Sequence, residues 1–146
     1  MYIRWEDFVA YVRNVIDGDT ITVERGSLVL TVRIAHIDAP ESGQELANES
    51  RDLLRKLCYQ KFVHVHPIGS DRYSRIIAEI RTENNLDCSA ELIRQGLAWW
   101  LQGKKRDENY GLIEQAAREN RVGLHALRNV EKPWNYRKNT KRIKTK

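Results

Sequence analysis

VIDGDTITVERGSLVLTVRIAHIDAPE, Val15 to Glu41, sets two β-patterned runs between two acidic turns. In TITVER (20–25) and LVLTVRIAHI (28–37) aliphatic and β-branched residues alternate with polar ones, the period of two that a half-buried strand requires. The junction ERGS has the length and the glycine of a hairpin turn, so the two runs predict adjacent antiparallel strands. Working outward, FVAYVRNVI (8–16) precedes them, and KFVHVHPI (61–68) and RIIAEIRT (75–82) follow, with ENN as the next turn. Five strands are complete by about residue 81.

Helical signals interrupt and follow these strands. Ser42 with Glu45 three residues later reads as a capping box, and Ala47, Leu53, Leu54, Leu57 and Cys58 fall mostly on one helical face up to about Gln60. Ser89 to Gln95 sets Leu92 beside Ile93 before Gly96, and Asn109 to Asn120 repeats the pattern through Leu112, Ile113, Ala116 and Ala117 before Gly123. There is no internal repeat and no low-complexity linker. Order and length predict a five-stranded Greek-key barrel of the OB type with three α-helices, one inserted after strand three and two at the end.

A chain of 146 residues suits one domain with a single core. No apolar run reaches 18 residues, which excludes a spanning helix. The start MYIRWEDF has no charged-then-apolar signal pattern; the expectation is a cytoplasmic protein, or a secreted or periplasmic one if a signal segment was removed. The net charge of +5 is concentrated in RKNTKRIKTK, which holds six of the 25 basic residues and no acid, leaving 19 against 20 acids elsewhere. This divides the chain into a folded domain, 1–136, and a basic tail, 137–146, expected to be disordered and able to grip phosphate backbones in a salt-dependent way. Cys58 and Cys88 have no metal-ligand spacing and read as small core residues.

Four segments concentrate chemistry: Asp17-Gly18-Asp19-Thr20, Arg33, Asp38-Ala39-Pro40-Glu41, and Asp71-Arg72-Tyr73-Ser74-Arg75. DGDT alone is more often turn punctuation. Arg33 alternates with a face of Leu28, Leu30, Val32 and Ile34, and sits among Val29, Thr31 and Ala35, where a charge wants a partner; a structural ion pair to Asp19 or Asp38 is one reading. The other is a site. Asp19 and Asp38, each at a strand end, could hold a hard divalent cation through oxygen while leaving positions open, with Glu41 free to orient a water.

The set VIDGDT, RIAHIDAPE, DRYSR and ELIRQGLAWW, in this order and at these intervals from about residue 11 to 136, resembles the staphylococcal nuclease family. The resemblance implies an OB barrel and a calcium-dependent endonuclease that hydrolyses the 5′ P–O bond of DNA and RNA and leaves 3′-phosphate ends. It implies calcium at the Asp19 and Asp38 carboxylates and the Ala39 main-chain carbonyl, with Asp17 in support. Arg33 and Arg75 take the two catalytic arginine positions, Glu41 that of the general base, and Arg72 and Tyr73 those that contact a terminal phosphate. Ser74 departs from a common Gly, and Trp99 and Trp100 lie just before the region in which the family presents tyrosines for base stacking, with Leu101, Gln102 and Gly103 following; the tryptophan pair also reads as core. His64 and His66 share a strand face, where a solvent-facing pair is favoured over a metal pair for want of a third ligand.

The expected partners are DNA and RNA as substrates, with no membrane and no obligate protein partner, and the expected state is a monomer. Two rivals stand beside the nuclease: an OB module that binds without cutting, and a plasmid- or chromatin-associated factor docked by its tail. The retained acids and arginines discriminate against the first.

Overall fold

The computed structural model describes residues 6–103 and 106–144. Strands β1 (Phe8–Asp17), β2 (Thr20–Arg25) and β3 (Leu28–Ile34) form a meander, followed by the short β4 (Ile37–Asp38) and helix α1 (Ala47–Cys58). A hairpin of β5 (Phe62–Ser70) and β6 (Ile76–Arg81) comes next, then α2 (Cys88–Arg94), β7 (Trp99–Trp100), α3 (Glu108–Glu119), a 3₁₀ turn at Gly123–Ala126 and α4 (Pro133–Lys144).

The five long strands close into a barrel in the order β1-β2-β3-β6-β5, with β3 and β6 parallel and the other pairs antiparallel. This is the barrel the sequence predicts. Alternation sets its register: Ile21 opposes Val32 and Val23 opposes Leu30, so one face of each strand turns inward. Val12, Ile21, Val23, Val32, Val63, Val65 and Ile80 are fully buried there. Gly26, at φ 60°, supplies the positive φ that a tight β2–β3 hairpin needs at its first central residue. Cys58 and Cys88 are buried and unpaired with each other, as expected of core residues, and burial pushes the Cys58 thiol up to about 12.

The helices differ from expectation at both ends of the chain. The Ser42–Glu45 capping box does not form: α1 starts at Ala47, behind Leu46 in a left-handed conformation with no side-chain cap. Residues 41–46 are held in their own turn, because the Glu41 N–H donates to Gln44 Oε1 (2.8 Å) and the Gln44 N–H to the Glu41 carbonyl (2.9 Å). α2 and α3 are capped by Asp87 and Asp107, one or two residues before the predicted starts. Ser89 instead donates from a fully buried hydroxyl to the Ala35 carbonyl (2.7 Å), tying α2 to the end of β3.

A fourth helix, α4, occupies Pro133–Lys144, much of it where the sequence gives a disordered tail. Proline suits its first position. Periodicity could not find it, since Trp134 and Ile143 are exposed and no apolar stripe runs along it. Polar contacts hold it: Asn139 Nδ2 donates to Glu131 (2.6 Å), Tyr136 packs beside Gly43, and Arg137 reaches the barrel.

Candidate active site

Two turns at one end of the barrel build the site. At the end of β1 a register irregularity between Val15 and Asp17 tightens the local twist and delivers the chain into Asp17-Gly18-Asp19. The Asp19 N–H donates to Asp17 Oδ1 (3.1 Å), the local side-chain turn that Asp favours, so Asp17 aims its neighbour. Gly18 is required by space: a Cβ there would lie 1.9 Å from Ser50 Oγ and 2.8 Å from the Ala39 Cβ.

Asp19 is thereby pressed inward, with 6 % of its surface exposed. Its Oδ1 accepts from the Thr20 hydroxyl (3.0 Å) and its Oδ2 from the Ala39 N–H (2.8 Å), so the first acidic turn is bonded directly to the second. Burial raises the Asp19 carboxyl to about 6; Arg33 pulls it down and Asp17 pushes it up.

Asp38 is fixed by a two-stranded ladder in which β4 pairs with β7, Asp38 opposite Trp99 and Ile37 opposite Trp100. It is 1 % exposed. Trp99 is buried under the Lys132 ammonium, 3.3 Å from its ring centroid, and the Trp100 ring lies where a Cβ on Gly111 would meet it at 2.8 Å. Trp99 is core and Trp100 is half-buried, and through the β4–β7 pairing the two position Asp38.

Arg33 joins both acids. Its Nη2 stands 3.4 Å from Asp19 Oδ2 and 3.4 Å from Asp38 Oδ1, while Nη1 donates to the Ile34 carbonyl (2.8 Å). Removing this guanidinium would leave two buried carboxylates facing each other, so the ion-pair and the site readings describe one arrangement.

The loop after Pro40 brings Glu41 to the same network through a residue that sequence reasoning missed. Arg137, on α4, donates from Nη1 to Asp38 Oδ1 (3.1 Å) and Glu41 Oε1 (2.6 Å), and from Nη2 to Asp38 Oδ2 (2.8 Å). The paired Asp38 hydrogen bonds, and then those of Glu41, keep this guanidinium more firmly protonated than usual. Arg137 is one basic residue in a run of six, and nothing local distinguishes it.

The β5–β6 loop carries the remaining positions. Asp71 organises it, accepting from the Tyr73 N–H (2.9 Å), the Arg75 N–H (3.0 Å) and Arg75 Nε (2.7 Å). Burial would raise this carboxyl, but the Arg75 and Tyr73 donors outweigh it and hold it below its usual value. The Arg72 and Arg75 guanidiniums lie 5.1 and 5.5 Å from the centroid of the exposed Tyr73 ring. The loop leads into β6, which pairs with the Arg33 strand, Arg33 opposite Ile77. Arg75 bonds Asp71 and not the Asp19–Arg33–Asp38 cluster. Ser74 takes φ 61°, so it accepts a left-handed conformation that glycine occupies without strain. Ser74→Gly is expected to stabilise the protein by about 0.5–1 kcal/mol, seen as a rise of a few degrees in Tm.

The family model described as Staphylococcal nuclease homologue matches residues 31–126. This chain belongs to the staphylococcal nuclease family. The chain is 33 % identical over 147 residues to a protein named micrococcal nuclease from Shigella flexneri, covering 94 % of this chain and 84 % of that one. It is 34 % identical over 129 residues to an uncharacterised endonuclease of Haemophilus influenzae, covering 88 % and 72 % respectively. It is 31 % identical over 144 residues to the protein ParB of Escherichia coli, covering 92 % and 81 %.

No three His, Cys, Asp or Glu residues cluster as a metal-binding set among the described residues of the nuclease. The donors at hand are the two carboxylates of Asp19 and Asp38, hard oxygens that suit calcium or magnesium and not a soft metal. A buried Asp19 whose own counter-charge is shared with Asp38 would be better satisfied by a cation. The donor set therefore fits a hard divalent ion with part of its shell left to water and substrate. His66 is an exposed strand residue bonded to Asp7 (2.6 Å), as expected of a solvent-facing position. No helix among the described residues is long and apolar enough to cross a membrane.

Proposed function

We propose that this nuclease is a calcium-dependent endonuclease that hydrolyses the 5′ P–O bond of DNA and RNA and leaves 3′-phosphate ends. The observation that carries this reading is the buried Asp19–Arg33–Asp38 cluster, with Glu41 joined to its edge through Arg137. Asp19, Asp38 and the Ala39 carbonyl are the groups proposed to hold the ion. It would supply positive charge against the phosphate and nothing else in the site could supply it so compactly.

The chain's own residues do the rest. Attack of water on the phosphodiester builds negative charge on the equatorial oxygens and on the leaving 5′ oxygen. Arg33, held by the Ile34 carbonyl, and Arg75, held by Asp71, are planar and permanently charged donors for that charge. Glu41 accepts the proton of the attacking water. Arg72 and Tyr73, exposed at the loop tip, contact a terminal phosphate of the strand. DNA or RNA then enters as a polyanion with no partner protein, and the active species is the monomer.

The test is nicking of closed circular DNA by the purified protein with millimolar-scale calcium, repeated with chelator. Calcium-dependent nicked and linear products carrying 3′-phosphate ends are expected; binding of the same DNA without cleavage would make the protein a binding module. Glu41→Gln is expected to lower kcat by about 10²- to 10⁴-fold with little change in DNA affinity, the range a general base contributes. Steady-state kinetics beside a binding titration separates the two quantities.

A further inference from the structure

We propose that Arg137 is an internal occupant of the cation site, so that docking of α4 and binding of a divalent cation exclude one another. The inference rests on the reading of Asp19 and Asp38 as cation ligands. It starts from the hydrogen bonds of Asp38. Both of its oxygens are taken by one guanidinium, at 3.1 and 2.8 Å, and the same Nη1 reaches Glu41 Oε1 at 2.6 Å. A single cation thus bridges the ligand carboxylate and the carboxylate beside it, the position in which a hard divalent ion with a water shell would sit.

Charge points the same way. Asp19, Asp38 and Glu41 against Arg33 alone carry a formal charge of −2, the complement of a divalent ion. Arg137 cuts that to −1 and adds its own repulsion at a few ångströms, in a place where Asp38 is nearly dry. Arg137 must therefore release Asp38 before those oxygens can ligate an ion.

The attachment of α4 is built to allow this. Arg137 is 45 % exposed and can swing to water. Among the described residues of α4 only Pro133 is buried, Tyr136 is half-buried, and Trp134 and Ile143 are exposed, so the helix carries no continuous apolar stripe to hold it down. Two further contacts lie on the loop that carries Glu41: Tyr136 Oη donates to the Ser42 carbonyl at 3.5 Å, and Gln44 Nε2 donates to the Glu131 carbonyl (2.8 Å) just before the helix. Undocking of α4 therefore also breaks its contacts with loop 41–46.

The experiment is a calorimetric titration of calcium, without nucleic acid, into the full chain and its Arg137→Ala and Arg137→Lys variants, paired with hydrogen exchange of α4 amides. An intramolecular competitor weakens apparent affinity by the fraction of molecules it leaves open. Arg137→Ala is expected to bind calcium about tenfold more tightly, with Arg137→Lys between it and the parent, since lysine keeps the charge but loses the paired hydrogen bonds. In the parent, α4 amides should exchange faster once calcium is added; in Arg137→Ala they should exchange fast from the start.

Equal or weaker calcium binding by Arg137→Ala overturns the proposal, as does exchange in the parent that calcium leaves unchanged. Weakened DNA binding with unaltered calcium affinity also overturns it, by assigning Arg137 to the substrate. A flat titration of the parent and of Arg137→Ala alike would remove the calcium reading first and this one with it. The parent's exchange measurement stands even if the variants fold poorly.

Discussion

Asp19→Asn is expected to abolish cleavage and, in chelator at neutral pH, to melt higher than the parent. The carboxyl is raised to about 6 in the folded protein from an ordinary 3.8, chiefly by burial, so the folded state holds its proton more tightly than the unfolded chain. Between those two values the unfolded state binds fewer protons, and stability falls as pH rises. The stabilisation is full below about 4 and gone above about 6. Ionised Asp19 thus costs the apo protein on the order of 2 kcal/mol at neutral pH.

Asparagine keeps an oxygen for the Ala39 N–H and carries no charge, so it escapes that cost. The same change removes one of two cation ligands, and cleavage should drop by at least about a hundredfold, the scale on which a transition-state charge partner acts. Calorimetry of both proteins across pH 3.5–7.5 in chelator checks the first half, and plasmid nicking the second. A variant less stable than its parent throughout the range would contradict the assignment of Asp19 as an anion buried for function.

Gly18→Ala should be strongly disruptive at the candidate site. Its Cβ would lie 1.9 Å from Ser50 Oγ, 2.9 Å from Ser50 Cβ and 2.8 Å from the Ala39 Cβ, and Ser50 and Ala39 are themselves buried. Ser50 sits in the first turn of α1 and cannot retreat without moving the helix. Overpacking of this kind costs about 1–3 kcal/mol and here meets three contacts too short for any real structure, so a loss of about 3 kcal/mol is expected in urea unfolding. Activity should fall further than stability, because the turn that aims Asp19 is the part that gives. Adding Ser50→Gly to Gly18→Ala opens the worst contact and should restore part of both. If the double variant were no better, the clash would not be the cause.

The barrel was legible because its information is local. Alternation in TITVER and LVLTVRIAHI names the inward faces, and the glycine of ERGS sets their pairing. Asp19, Arg33 and Asp38 were legible as candidates for the same reason: each stands at or near a strand end within one short stretch. What escaped is what distance holds together. The Ser42–Glu45 pair obeys a local capping rule, yet Gln44 and the docking of Tyr136 on Gly43 override it. α4 lacks an apolar stripe, and Arg137 meets Asp38 across 99 positions of sequence. No periodicity reports an ion pair of that span.

The closed β1-β2-β3-β6-β5 ring leaves none of the five long strands with an unpaired edge, and the short β4 and β7 use each other. Exposed strand edges are where chains join into aggregates. If α4 lifts as proposed, the five barrel strands still offer no edge on which a second molecule could add a strand.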